Sequence, residues 1–68
     1  MMHEIGKTAG DVWQVLYNEG EITLARLKKA VPVKDEILLM ALGWLAREDQ
    51  LNFNPTGRSI RLSIKRPG

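Results

Sequence analysis

The hydrophobic period of this chain changes once, close to residue 50, and nothing else in it constrains the fold so strongly. Before that point apolar residues recur at helical spacing. Ile5, Ala9, Val12, Trp13, Leu16 and Tyr17 trace one helical face, and Leu38, Ala41, Leu42 and Leu45 trace another. After it the period is two. Leu51 and Phe53 alternate with Asn52 and Asn54, while Ile60, Leu62 and Ile64 alternate with Ser59, Arg61, Ser63 and Lys65. Asn54-Pro55-Thr56-Gly57 lies between the two runs, with proline and glycine placed to turn the chain. The chain is therefore predicted to finish in a two-stranded hairpin with one apolar and one wet face. An isolated hairpin is barely stable in water, so its apolar face is expected to pack on the helices.

The helical part divides into three. Gly20 stops the first helix, and Gly6 and Gly10 weaken its start. Glu21-Ile22-Thr23 is long enough only for a small strand, and Thr23 is suited to cap a second helix. Leu24, Leu27 and Ala30 form the inner side of that short helix. Pro32 ends it and pushes Val31 into an extended conformation. Lys34 begins the third helix, whose first turn holds Asp35 and Glu36, where negative charge favours the helix dipole. This helix is predicted to run to about Glu48 or Asp49. The order helix, short strand, helix, turn, helix, hairpin gives an α+β winged helix-turn-helix, with residues 1–68 as a single domain. The second and third helices make the helix-turn-helix, and the hairpin is the wing.

Two tryptophan-centred segments add to this reading. Ala9-Gly10-Asp11-Val12-Trp13 and Leu42-Gly43-Trp44-Leu45-Ala46-Arg47-Glu48 resemble the family of short, stand-alone winged helix-turn-helix proteins of unknown function found in bacteria and archaea. The resemblance covers most of residues 5–64. It implies the fold and no established activity, so it assigns no functional residues. Asp49-Gln50 stands where winged helices often place a glycine, which blurs the turn from helix to strand.

Catalysis finds no support in these residues. His3 is the one histidine and there is no cysteine, so no set of convergent ligands for a structural metal is expected. A nucleophilic triad lacks a base for the same reason. Asp35-Glu36 and Glu48-Asp49 are sequence neighbours, which on a helix do not face each other. No glycine-rich loop matches a phosphate-binding fingerprint. The chain is expected to be no enzyme and to need no cofactor. No basic stretch precedes an apolar run, and no apolar segment nears the roughly 20 residues that span a bilayer, so a cytoplasmic protein without membrane contact is expected.

A chain of 68 residues buries only about 60% of its unfolded surface. Its apolar fraction of 44% is generous for that size, which leaves apolar surface for a partner. The net charge of +2 is small, but its distribution is uneven. Residues 1–20 hold Lys7 against Glu4, Asp11 and Glu19, whereas residues 51–68 hold Arg58, Arg61, Lys65 and Arg66 with no acid.

The third helix and the cations point to different functions. Opposite the inner face of that helix lie Glu36, Met40, Gly43 and Arg47, with Leu39 on one flank and Ile37 and Trp44 on the other. A helix-turn-helix reads bases from this face, and readout uses Arg, Lys, Asn, Gln or Ser. Here the face is acidic at its start and apolar along its middle. A helix apolar nearly all round needs cover, and so small a domain cannot supply it alone. Trp13 is expected in the core, while Trp44 could pack, serve an interface or stack on a base. The cations Arg26, Lys28, Lys29, Lys34, Arg58, Arg61 and Lys65 could hold a phosphate backbone without choosing a sequence. The leading expectation is thus a dimeric module that binds DNA with weak sequence selectivity through its wing and second helix. The alternative is a protein-interaction module in which Ile37, Leu39, Met40 and Trp44 meet a partner or a second copy.

Overall fold

The computed structural model describes residues 2–65, so Arg66 lies outside the described residues. Three helices and three strands follow one another as α1 (Met2–Glu19), β1 (Ile22–Thr23), α2 (Leu24–Ala30), α3 (Asp35–Arg47), β2 (Leu51–Thr56) and β3 (Ser59–Ile64). The fold is α+β, with the strands in one antiparallel sheet ordered β1-β3-β2.

Packing sets the extent of α1. The helix runs unbroken through Gly6 and Gly10, although each costs about 1 kcal/mol relative to alanine. Thr8, Ala9, Val12 and Leu16 are buried on its inner side and outweigh that local preference. Gly20 closes the helix at φ +78°, and its N–H donates to the Leu16 carbonyl at 2.9 Å. Trp13 departs from expectation: it is half-buried, packed at the edge of the core and stacked on the exposed Tyr17 ring at 5.0 Å.

The second helix is capped as its sequence suggests, whereas the third has no side-chain cap at its start. The Arg26 N–H donates to the Thr23 hydroxyl at 3.2 Å, which starts α2. With 7 residues this helix buries Leu27 and half-buries Leu24, while Ala30, expected inside, is exposed because the last turn faces outward. Lys34 is the residue before α3 rather than its first helical one. The inner face of α3 is Leu38, Ala41, Leu42 and Leu45, all buried. The helix ends at Arg47, slightly earlier than expected, because Asp49 turns left-handed at φ 58°. The Asp49 N–H donates to the Ala46 carbonyl at 3.0 Å and the Gln50 N–H to the Leu45 carbonyl at 2.9 Å. This pair of bonds is the Schellman ending, with aspartate in the place glycine usually takes.

The wing corrects two expectations. β2 runs through Pro55 to Thr56, so the turn is Gly57-Arg58 and not Asn54–Gly57. Gly57 has φ +59° and Arg58 is not left-handed, as in a two-residue II′ hairpin. Proline is tolerated within β2 because that strand is the free edge of the sheet. The apolar face of the wing is also less covered than expected. Leu51, Leu62 and Ile64 are buried, but Phe53 and Ile60 are 53% and 41% exposed. Phe53 lies opposite Leu62, and Pro55 opposite Ile60, so one apolar face extends past the helices that cover its base.

Val12, Leu16, Leu27, Leu38 and Leu62 are the largest fully buried side chains, and they join α1, α2, α3 and β3 into one core. Among the described residues no helix is long and apolar enough to cross a membrane.

Candidate nucleic-acid interface

The seven cations singled out above fall into two groups by their neighbours. Four face carboxylates. Both Nε and Nη2 of Arg26 approach Glu19 Oε1, at 2.8 and 2.7 Å. Arg61 Nη1 lies 3.9 Å from Glu21 Oε1, and Lys28 Nζ lies 3.5 Å from Asp35 Oδ2. Lys65 Nζ donates to Asp49 Oδ1 at the end of α3. Lys29, Lys34 and Arg58 make no ion pair among the described residues. All four pairs are solvent-exposed, where such a contact contributes about 0–1 kcal/mol. The carboxylates therefore matter less as anchors than as local charge that offsets attraction for phosphate.

Position sorts the same residues a second time. Thr23, Lys28, Arg58, Ser59 and Ile60 line a groove of about 310 Å³ between the start of α2 and the wing turn. Arg58 reaches it because it is one of the two residues of the turn itself. Lys34 lies outside this groove and borders a separate depression with Glu4, Lys7 and Asp11 of α1. Arg26, Arg61 and Lys65 are tied elsewhere: to the end of α1, to the residue before β1 and to the end of α3. Cations beside hydroxyl groups in an open groove suit an anionic sugar-phosphate chain, which positions a protein without specifying sequence.

The outward surface of α3 is different in kind. Glu36, Met40, Gly43 and Arg47 are all exposed there. Leu39, Met40 and Trp44 are 54%, 45% and 40% exposed. Ile37 is half-buried and borders a depression with Glu4 and Lys7 of α1. Trp44 sits between the helices, beside Gly6, Gly10 and Trp13 on one side and Met2, Ile5 and Met40 on the other. Of this surface only Glu36 and Arg47 carry groups that can read a base: Glu36 is repelled by phosphates at the entry, and Arg47 stands at the C-terminal end, away from where such helices enter the groove.

Sequence reasoning missed the carboxylate partners Glu19, Glu21 and Asp49 and the groove residues Thr23 and Ser59. Pairing between distant elements leaves no periodic trace. The position of Arg58 had a signal, because Leu51, Phe53 and Pro55 keep one alternation that moves the turn past Thr56. Among the described residues no three acidic or histidine side chains converge as a metal site.

The comparisons with known proteins agree with the winged helix-turn-helix fold. A family model described as Winged helix-turn-helix domain (DUF2582) matches residues 1–64. An uncharacterized protein of the archaeon Methanocaldococcus jannaschii is 39% identical over 54 residues, which cover 75% of this chain and 76% of that protein.

Proposed function

This chain belongs to the DUF2582 family of winged helix-turn-helix domains, and from that premise we propose that it is a non-catalytic module that holds DNA by its backbone. The observation that carries this reading is the groove between α2 and the wing turn, which Lys28 and Arg58 line together with Thr23 and Ser59. Arg26, Lys29, Lys34, Arg61 and Lys65 are the further backbone contacts of this reading, outside the groove. Binding is weakly sequence-selective, because α3 opens with Asp35 and Glu36 and continues with Met40 and Gly43. The whole chain, residues 1–68, acts as one domain in the cytoplasm, without cofactor or membrane contact. Fluorescence anisotropy with two labelled duplexes of unrelated sequence tests the proposal. The two affinities should agree, and both should fall steeply with salt. Arg58→Ala should flatten the log–log salt slope by about one unit. Tight binding to one duplex only, unchanged by Arg58→Ala, would contradict it.

A second reading has its own support. Leu39, Met40 and Trp44 give α3 an exposed apolar surface on a very small protein, and such surfaces mark interfaces. In this reading the domain is a homodimer or meets a protein partner through α3, with Ile37 and Trp44 on the flank nearest α1. The two readings use separate surfaces and are compatible, so a dimer joined through α3 can still present two wings to DNA.

A further inference from the structure

The outward stripe of α3 has the same spacing in both directions and opposite charges at its two ends. Glu36, Met40, Gly43 and Arg47 follow one another at spacings of four, three and four. The pattern is symmetric about a point midway between Met40 and Gly43. From the structure we infer that two copies of this chain pair through α3, antiparallel, around a two-fold axis at that point. The inference rests on the self-association reading above and specifies its register. In this pairing Met40 of one copy faces the partner's Gly43, and Glu36 faces the partner's Arg47, each contact occurring twice.

Three features of the single chain fit this partner. The first is charge. Glu36 and Arg47 make no ion pair among the described residues, although four other cations of the chain find carboxylates. Antiparallel pairing joins them, whereas parallel pairing would oppose like charges at both ends. The second is shape. Gly43 is a helix-interior glycine on an exposed surface, and a Cβ built there meets nothing within 4 Å. The fold of one copy therefore does not require glycine, which costs helix stability relative to alanine. A facing methionine gains from it, because the missing Cβ leaves room for that side chain and lets the helices approach closely. The third is exposure: Met40 stands out in the middle of the stripe, with Trp44 and Ile5 bordering the same depression. Glu36 and Arg47 lie about 16 Å apart at the helical rise. The two charge pairs thus sit as a polar rim on either side of an apolar centre, the usual anatomy of an interface. A surface that complements itself under a two-fold rotation is the signature of an isologous contact, so the occupant is a second copy.

Sedimentation equilibrium on the full chain and four variants tests this. The wild-type chain should be a dimer at high concentration. Glu36→Arg and Arg47→Glu should each weaken the dimer by about tenfold or more, because each sets like charges face to face at two places. The double variant, Glu36→Arg with Arg47→Glu, should return the affinity close to the wild-type value. All these side chains are exposed, so circular dichroism should show every variant folded. Gly43→Ala gives a second readout: it should raise the melting temperature of the dilute monomer and weaken the dimer. A wild-type monomer would overturn both the self-association reading and this pairing. A wild-type dimer indifferent to both charge reversals would place the contact away from this face and overturn the pairing. A dimer weakened by the single reversals but not restored by the double variant would overturn the register alone and leave association through α3 standing.

Discussion

The third helix and the wing both carry an apolar face, and the protein treats the two faces differently. In α3 the inner residues Leu38, Ala41, Leu42 and Leu45 are all buried, and the residues opposite them are all exposed. In the wing the alternation is equally regular, yet burial stops halfway along it. Leu51, Leu62 and Ile64 are covered, while Phe53 and Ile60 stand out near the turn. The difference lies in what is opposite. α3 packs against α1 along its length, whereas the hairpin extends beyond the helices that support its base. Periodicity states which side chains share a face, and only the neighbouring element decides whether that face is dry.

Core substitutions sharpen this comparison most. Leu38→Ala should cost roughly 2–5 kcal/mol, as buried leucines do. That is a large share of the stability of so small a domain, and urea denaturation should show it as a collapse of the folded baseline. Leu62→Ala should fall in the same range, because Leu62 is fully buried. Its cross-strand neighbour Phe53 gives the internal control: Phe53→Ala should cost no more than about 1 kcal/mol, since half of the ring already faces water. Equal losses at Leu62 and Phe53 would break the distinction between a covered base and an open tip.

The wing turn comes next in size. Gly57→Val forces a branched side chain into φ +59° and should cost about 1–2 kcal/mol. Hydrogen exchange should show the amides near Ser59 and Ile60 opening while those of α1 and α3 keep their protection. Met40→Glu should change stability by no more than about 0.5 kcal/mol, because the side chain is exposed. It should yield a folded monomer in sedimentation. Unfolding of that variant would put Met40 in the core and break the description of α3. The smallest effect belongs to Asp49→Gly. Relief of the left-handed backbone offsets the lost contact with Lys65, and the net change should stay within about 0.5 kcal/mol.

Much of this was legible in the residues. Gly20, Thr23 and Pro32 punctuate the chain where the elements meet, and the inner face of α3 follows from its spacing alone. The candidate site was legible only as a set of cations. Arg58 and Lys28 share a groove because the hairpin folds back over α2, a long-range relation with no local signature. The same holds for the carboxylates beside Arg26, Arg61 and Lys65, which come from other elements. The sequence at Asp49 suggests a blurred turn, and the residue instead adopts the left-handed cap itself, as Asp and Asn do more readily than most residues.

Central to this account is the division of labour between two surfaces: DNA at the groove of α2 and the wing, and a second copy at the outward face of α3. Amide chemical-shift mapping during titration with a duplex tests it most directly. The account predicts that the largest changes fall on Lys28, Gly57, Arg58 and Ser59, while Met40, Gly43 and Arg47 stay where they were. Changes centred on Met40, Gly43 and Arg47, with the wing turn unmoved, would contradict it.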